Sequence, residues 1–558
     1  MNIEMRAVRS VLTILLSTSV GMVTACATTS PQVKPVVEQP PAPERPPSLA
    51  SETPRLVVLI VLDQFGSWVF NEHLPLLPSE SVIRRAYEDG AFHTAEFPFA
   101  ATQTAPGHAS LSTGVTPAVH GIVANAVYDP VLGSRRTVDD RTHVVLGNPD
   151  RFVSPTQLQA ESVADVLAKE TNGKARIVGI SMKARSAVLP VGQQPTTAVF
   201  YDAVARSMTT STYYAPKQRL PDWVREFNRA NPVEPLLQPW SPEDPMRWEQ
   251  HFGPDARAGE MYPAFPHDPR EASDPWYAFS GTPESSEYLI AAAYAVVKAE
   301  RMGLDEVPDF LALGVSGTDI VGHVWGARSW EYADNLARID RALTRFARML
   351  EARGPVAFLL TADHGVADLP ERAEAEGGSG GRLSASVLIS EAERAADEAF
   401  GEGDWIAGYV SPLMTYTAEG KQRRAELGRV LAKAMPSVTG VEAAYDAHDG
   451  PTLRASRDLL DRLVGESLPD HPPGDLYLVS ELGWFDALSE GGGTNHGSPW
   501  DYDRQVPVLM WGAAIERRTS DEVQNVLAVA TSLAALLGVP PPSGAPKSPL
   551  PGVMRLPD

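Results

Sequence analysis

Four apolar stretches of this chain each end in polar residues of the kinds that bind metal ions or anions, and this recurrence constrains the fold more than any other feature. The first, Leu56–Leu62, is the unbroken run LVVLIVL and is followed by Asp63. A continuous run of branched apolar residues is typical of a strand buried on both faces of a parallel sheet. Three further runs of this kind occupy residues 176–181, 310–315 and 356–360.

Helical stretches separate these predicted strands. Thr282 and Pro283 form a good N-cap and first-turn pair for an alanine-rich helix that continues to about residue 302, and residues 330–353 carry apolar side chains at helical spacing. The alternation predicts an α/β fold with a doubly wound, mostly parallel sheet flanked by helices. Such sheets bind ligands at the carboxyl ends of their strands. The polar residues that follow the four strands are Asp63, Lys183, Arg185, Asp319, His323, Asp363 and His364.

A separate stretch, residues 97–129, offers a candidate nucleophile. Thr104 is followed by Ala105 and Pro106, and proline suits the first turn of a helix. A hydroxyl at a helix N-terminus lies where the macrodipole and the free N–H groups favour an anion. Thr104 is therefore either the nucleophile of a phosphate or sulfate ester hydrolase or a plain N-cap, and this stretch alone leaves both interpretations open.

The strand-end residues, together with a histidine in the glycine-rich loop 493–497, form a set suited to metal ions. Mixed carboxylate and imidazole ligands fit two divalent cations, and zinc is the first choice by ligand type. Alternatives exist for each member: a helix cap for Asp63, a surface i, i+4 pair for Asp319 and His323, and a tight turn for 363–365. Their joint placement at equivalent strand ends favours metal binding. The set is Asp63, Asp319, Asp363, His323, His364 and His496.

Lys183 and Arg185 indicate which ester is bound. Two positions apart in an extended segment, they would point to the same side and converge on one anion. A phosphate monoester has an additional charged oxygen that a diester lacks, which Arg can hold bidentately while Lys neutralises charge. The alternative is a solvated basic pair that follows a strand.

The N-terminus predicts export. Arg6 and Arg9 precede an apolar run at 11–23 that is too short to cross a membrane comfortably, which is typical of a signal peptide. Cys26, the only cysteine, follows Val-Thr-Ala and resembles the lipobox of bacterial lipoproteins, although an ordinary secretory signal could carry a cysteine there by chance. We therefore expect a signal peptide over residues 1–25, a lipid on Cys26 that anchors the protein to a membrane, and location in the bacterial cell envelope at its periplasmic or extracellular face.

The rest of the chain divides into a tether and a body. Residues 26–54 are rich in Pro, Ser, Thr and Glu and predict a semi-extended tether. Residues 55–558 form the predicted catalytic domain, with insertions at 201–281 and 368–493 and a last helix near 522–537. A net charge of −22 makes a broad nucleic-acid-binding surface improbable. With no cysteine besides Cys26, disulfides and Cys-based metal sites are excluded from the body.

Six motifs resemble those of the alkaline phosphatase superfamily, in its branch of type I phosphodiesterases, nucleotide pyrophosphatases and phosphate-irrepressible bacterial alkaline phosphatases. They occur in family order and span nearly the whole predicted body. The motifs are LIVLDQ at 59–64, TAPGHASLSTGVTPAVHGIVAN at 104–125, SMKARSAVLPVG at 181–192, SGTDIVGH at 316–323, TADHG at 361–365 and TNHGSPWDYDRQVPVLMWG at 494–512.

The resemblance implies a role for each site residue. It makes Thr104 the nucleophile and Asn125 the residue that donates its amide N–H to a phosphoryl oxygen. It implies one zinc held by Asp63, Asp363 and His364 together with Thr104, and a second zinc held by Asp319, His323 and His496. The pair Lys183 and Arg185 resembles the Lys-x-Arg of the monoesterase members of the branch.

These observations predict a zinc-dependent alkaline phosphatase, expected as a monomer, that hydrolyses small phosphate monoesters through a phosphothreonine on Thr104. The alternative within enzymes is a phosphodiesterase or nucleotide pyrophosphatase with the same two metals. A surface binding protein without turnover is a third interpretation, against which the intact nucleophile and six metal ligands argue. A sulfatase is disfavoured, because sulfatases need Cys or Ser at the position of Thr104.

Overall fold

The computed structural model describes residues 52–262, 264–488 and 492–554, and a ten-stranded sheet forms its centre. The predicted signal peptide, Cys26 and most of the predicted tether lie outside the described residues. The strands of the central sheet are β1 Leu56–Leu62, β2 Ala91–Glu96, β3 Ile177–Ser181, β4 Thr197–Asp202, β5 Ser207–Thr209, β6 Asp309–Val315, β7 Val356–Thr361, β8 Gln505–Gly512, β9 Arg518–Thr519 and β10 Gln524–Asn525.

The spatial order of the sheet is β9-β2-β8-β7-β1-β6-β3-β4-β5, and β10 also pairs with β2. Strands β7, β1, β6, β3 and β4 are parallel neighbours, whereas β8 runs antiparallel to both β7 and β2. Every residue of β1, β3, β6 and β7 is buried, as expected of strands covered on both faces. The predicted fold class, a mostly parallel sheet flanked by helices, is confirmed.

Helices cover the sheet in two packed groups. One group is built on Pro283–Ala299, Trp330–Glu351 and Val82–Asp89, and the other on Thr104–Thr113, Val163–Glu170 and Ala528–Leu536. The remaining α-helices are Ser67–His73, Pro117–His120, Ala184–Val188, Asp222–Ala230, Pro245–Phe252, Pro275–Ala278, Gly317–Trp325, Pro370–Ala375, Ala385–Phe400, Ala418–Gln422, Arg424–Ala434, Gly450–Arg454, Leu459–Ser467 and Asp501–Arg504. No helix of the described ranges is both long and apolar enough to cross a membrane.

A second, four-stranded antiparallel sheet lies within residues 368–493 and has its own hydrophobic cluster around Trp405, Tyr416 and Leu431. Its strands are Ile406–Val410, Leu413–Tyr416, Val441–Asp446 and Leu476–Ser480, and three two-stranded sheets pair Ala126–Asp129 with Gly133–Arg136, Val144–Val145 with Asn148–Phe152, and Gly381–Leu383 with Trp484–Asp486. The division of the chain into a body and two insertions stays a prediction.

The last helix is shorter than its sequence indicates. Residues 522–537 were expected to be helical, but the helix covers only Ala528–Leu536. The preceding β10 pairs with Ala95 and Glu96 of β2 instead. Sheet hydrogen bonds to a distant strand outweigh the local helical pattern here, because tertiary pairing overrides intrinsic propensity.

The strand directions decide what meets at one edge of the sheet. The carboxyl ends of β1, β3, β6 and β7 lie at this edge because these strands are parallel. β2 runs in the same direction, since both β2 and β7 are antiparallel to β8. The amino end of the reversed β8 therefore also lies there, which brings in the loop before Gln505. All six predicted motifs reach this edge.

Candidate active site

The candidate nucleophile is the first residue of a buried helix, as predicted. The helix Thr104–Thr113 follows an N-cap at Gln103, and Thr104 is 1% exposed. Its Oγ1 lies 3.4 Å from His364 Nε2 and 3.4 Å from Nη2 of Arg185. Thr104 therefore stands between a predicted metal ligand and a cation that can hold a phosphoryl group.

Asn125 is fixed beside this helix by two hydrogen bonds. Its Oδ1 accepts from the backbone N–H of Ala105 at 2.8 Å, and its own backbone N–H donates to Gln103 Oε1 at 2.8 Å. The N–H of Ala105 is used in the first of these bonds and Pro106 has no N–H, so neither residue can offer a backbone N–H to an anion. Because Oδ1 faces the helix, the amide NH₂ of Asn125 is left to donate elsewhere, which agrees with its predicted role.

Three buried carboxylates converge at this edge of the sheet. Asp63, Asp319 and Asp363 are each at most 3% exposed. Asp63 Oδ1 accepts no hydrogen bond from the described residues. Buried polar atoms in proteins are nearly always satisfied, so a carboxylate oxygen without a donor fits a site that binds a cation.

The three histidines present the same nitrogen to these carboxylates. Nδ1 of His323 is 2.9 Å from the Thr494 carbonyl, Nδ1 of His364 is 2.9 Å from that of Gly365, and Nδ1 of His496 is 2.8 Å from that of Thr102. A carbonyl only accepts, so each Nδ1 carries the proton and donates it. Each Nε2 is thereby left with a lone pair for a metal, the arrangement typical of histidine ligands.

The ligand atoms form two groups that share a histidine. One group is Asp63, Asp363 and His364; the other is Asp319, His364 and His496; in each, the ligand atoms lie within 4.8 Å of one another. His323 also reaches the second group, because its Nε2 is 3.2 Å from Asp319 Oδ1. The structure thus brings together all six residues that the sequence predicted as metal ligands. Oxygen and imidazole donors in two adjacent groups could hold divalent metal ions.

Charge in the site favours cations. Burial and the charges of Asp319 and Asp363 raise the pKa of Asp63. Burial would also raise the pKa of Asp319, but His323 and Lys183 hold it well below its usual range. The ammonium of Lys183 therefore faces two of the three crowded carboxylates, and bound cations would relieve the repulsion that remains.

The two stacked imidazoles differ in protonation. Burial acts to lower the pKa of His364, but Asp363 and Asp63 outweigh it and raise the pKa to about 9. Burial and the neighbouring His364 lower the pKa of His496 to about 3. Their ring centroids are 3.5 Å apart. Ligation by His364 requires loss of its proton, so metal binding here is coupled to proton release.

The basic pair is placed differently from the expected extended segment. Lys183 is the N-cap of the helix Ala184–Val188, and Arg185 is already inside that helix. As a result the two side chains separate. Arg185 lies at Thr104, whereas the ammonium of Lys183 contacts Asp63 at 2.7 Å and also Asp319. The local helix was not visible in a sequence that reads as a short continuation of a strand.

Two further groups support the site, and the sequence predicts that one of them, His108 in the nucleophile motif, packs there or orients metal ligands. His108, one turn after Thr104, contacts the Thr104 carbonyl at 2.9 Å and Asp363 Oδ2 at 3.1 Å through Nδ1, so it links the nucleophile helix to a ligand. Asp503 accepts from the backbone N–H groups of Gly497 and Ser498 and so fixes the loop that carries His496. The sequence places His108 inside the nucleophile motif, but only the fold shows its contact with Asp363.

Comparison with known proteins places this site in a family. The model of the type I phosphodiesterase / nucleotide pyrophosphatase family matches residues 57–497. The chain belongs to this family. The predicted resemblance to the branch is confirmed, and the matched residues include every predicted site residue.

Relatives of the family resemble the chain over most of its length. Alkaline phosphatase PhoV of Synechococcus elongatus is 27% identical over 524 residues, which cover 89% of this chain and 93% of the relative. Alkaline phosphatase PafA of Elizabethkingia meningoseptica is 28% identical over 535 residues, covering 89% and 94%. A crystal structure of wild-type PafA superposes with a TM-score of 0.83 at 26% identity and covers 90% of this chain and 100% of that one.

Proposed function

We propose that this chain is a zinc-dependent phosphomonoesterase in which the Thr104 hydroxyl takes the phosphoryl group and releases the alcohol, and water then hydrolyses the phosphothreonine to free Thr104 and phosphate. The broader prediction, a hydrolase of the alkaline phosphatase type, is confirmed by the relatives. The observation that carries the finer proposal is the position of Thr104 Oγ1, 3.4 Å from both His364 Nε2 and the Arg185 guanidinium.

The residues of the chain divide the work of phosphoryl transfer. Thr104 supplies the attacking oxygen, and the NH₂ of Asn125 donates to a phosphoryl oxygen because its Oδ1 is held by Ala105. Arg185 donates to the unsubstituted, charged oxygens of the phosphoryl group, of which a monoester has one more than a diester. Lys183 neutralises charge on Asp63 and Asp319, which reduces the repulsion that an anionic ester would meet when it binds.

The donor set fits two zinc ions, with Asp63, Asp363 and His364 on one side and Asp319, His323 and His496 on the other. When bound, zinc supplies Lewis acidity that makes the Thr104 hydroxyl a better nucleophile and offsets charge on the leaving oxygen. Oδ1 of Asp63, which accepts no hydrogen bond from the described residues, supports this assignment.

Location in the bacterial envelope, with a lipid on Cys26, is part of the proposal. The described chain enters the central sheet at Leu56, the amino end of β1, and Asp63 follows its other end. Seven residues of strand span about 20 Å. An anchor that precedes residue 52 would therefore join the sheet at the end opposite the candidate site.

The central test compares a phosphate monoester with a diester that has the same leaving group. We expect the zinc-loaded enzyme to prefer the monoester, and changing both Lys183 and Arg185 to Ala to reduce monoester kcat/KM by at least about 100-fold more than diester kcat/KM, since removal of a charged contact made in the transition state costs about 10²–10³. A matched control is Arg429→Ala with Lys433→Ala, an exposed basic pair on the helix Arg424–Ala434.

Equal losses on the two substrates would contradict the role of this basic pair. A wild-type preference for the diester would instead support the second candidate, a phosphodiesterase or nucleotide pyrophosphatase, which the description of the matching family model favours. Both enzymes would use the same residues for metal binding, so the substrate ratio separates them directly.

The covalent step has its own test. Thr104→Ala is expected to reduce monoester turnover by at least about 10³-fold while zinc binding is retained. Removal of zinc by a chelator is expected to abolish turnover until zinc is returned. Mass spectrometry of enzyme quenched during turnover should find phosphate on Thr104. Phosphate release that survives both the substitution and the chelator would refute the mechanism.

A further inference from the structure

Gln64, which follows Asp63 directly, is a buried residue in a strained turn. It is 0% exposed, and its φ of 67° lies in the left-handed region. A residue with a Cβ pays roughly 1–2 kcal/mol for that conformation. Such strain persists where the surroundings fix it, often at functional sites. The turn lies between the two groups of predicted metal ligands.

Two donors of Gln64 reach one carboxylate in each group. Its backbone N–H donates to Asp363 Oδ1 at 3.2 Å, and its side-chain Nε2 donates to Asp319 Oδ1 at 3.2 Å. Asp363 belongs to one ligand group and Asp319 to the other. The left-handed turn is what allows a single residue to direct both donors inward.

The side-chain amide of Gln64 has one acceptable orientation. A flip would place Oε1 against the carboxylate of Asp319, so Nε2 must face it. Oε1 accepts no hydrogen bond from the described residues and lies over Gly322, where a Cβ would stand only 1.9 Å from it. Gly322 belongs to the helix Gly317–Trp325, which carries Asp319. The missing side chain at Gly322 thus leaves the space that the amide occupies.

We propose that Gln64 is a positioning residue that orients Asp319 and Asp363 toward two zinc ions, and that Gly322 is needed to accommodate its amide. This inference rests on the proposed function for the identity of the metal. The ammonium of Lys183 contacts the other oxygen of Asp319. Without the Gln64 donor, Oδ1 of Asp319 would keep only its contacts with the Nε2 atoms of His323 and His496, which the Nδ1 hydrogen bonds leave as lone pairs for a metal, and the carboxylate would turn toward the lysine.

Zinc binding by metal-stripped protein tests the inference. Gln64→Met keeps the length of the side chain but has no donor, and we expect zinc affinity at the more affected site to fall about 10–100-fold, the cost usual for a lost partner of a metal ligand. The second site should weaken less, because the backbone N–H to Asp363 remains. Titration against a competing chelator measures both affinities. The rise in Tm on adding zinc, measured from each protein's own metal-free Tm, should become smaller than in wild type.

A double-mutant cycle provides the sharper test. Gly322→Ala alone should weaken zinc binding about tenfold by displacing the Gln64 amide. In the Gln64→Ala background, Gly322→Ala should lower zinc affinity less than twofold. The next neighbour of the new Cβ would then be the Tyr332 ring at 3.4 Å, which is an ordinary contact. Additive losses, or zinc affinities of Gln64→Met within twofold of wild type, would overturn the inference.

Turnover assays keep this outcome separate from that of the proposed function. A wild-type protein that binds two zinc ions but hydrolyses no phosphate ester would refute the proposed function, while the affinity cycle would still decide the role of Gln64. Conversely, a wild-type phosphatase whose Gln64→Met variant binds zinc normally would overturn only the positioning role.

Discussion

Replacing Gly107 with Ala should misplace the nucleophile without removing any group that takes part in the chemistry. Gly107 lies one turn into the helix Thr104–Thr113, against the backbone of Asp363. A Cβ at this position would stand 2.1 Å from the Asp363 carbonyl oxygen, whereas a carbon and an oxygen in contact need about 3.3 Å. The obstacle is backbone, so the helix must move by about 1 Å away from Asp363.

The expected size of the effect follows from that displacement. Thr104 and Asp363 are on opposite sides of the contact, and a misplacement of about 1 Å at a reacting group can cost about 100-fold in rate. We therefore expect monoester kcat/KM to fall about 100-fold, equivalent to about 2.7 kcal/mol of transition-state stabilisation.

The assay is steady-state hydrolysis of one monoester by zinc-loaded wild type, Gly107→Ala and a control. Gly428→Ala is a suitable control, because Gly428 lies in a helix of the second sheet region and the nearest atom to its new Cβ would be a flexible Asp446 carboxylate oxygen at 3.0 Å. The control should stay within twofold of wild type. A Gly107→Ala enzyme that binds two zinc ions and keeps kcat/KM within threefold of wild type would refute the reasoning.

Two other properties can be tested independently of turnover. Burial raises the pKa of Asp340 to about 6, so the folded protein holds this proton more tightly than the unfolded chain and loses stability as the pH rises from about 4 to 6. Between these two pH values, the free energy of unfolding of Asp340→Asn should rise by about 2–3 kcal/mol relative to that of wild type, as measured by urea unfolding of the metal-free proteins. A difference between the two proteins that does not change with pH would contradict this. Cys26→Ala should abolish lipid labelling and release the protein from membranes, and unchanged labelling would disprove the anchor.

The sequence by itself determined the class of fold and named the candidate site residues that the structure brings together. Buried strands of a parallel sheet have unbroken apolar sequences, and the apolar run before Asp63 has the same bounds as β1. The helix start at the candidate nucleophile was also predictable, since the proline that follows Thr104 marks the first turn of a helix that the structure contains. Such signals are local, because they depend on neighbours in the chain.

Only the tertiary structure decided how those residues face one another. The antiparallel β8 delivers His496 to the same edge as the parallel strands, and nothing local in the sequence fixes a strand direction. The helix that begins at Ala184 sends Lys183 toward carboxylates and Arg185 toward Thr104. Contacts of this kind join residues 81 to 136 positions apart, so their geometry arises from packing of the whole sheet and not from any stretch of sequence.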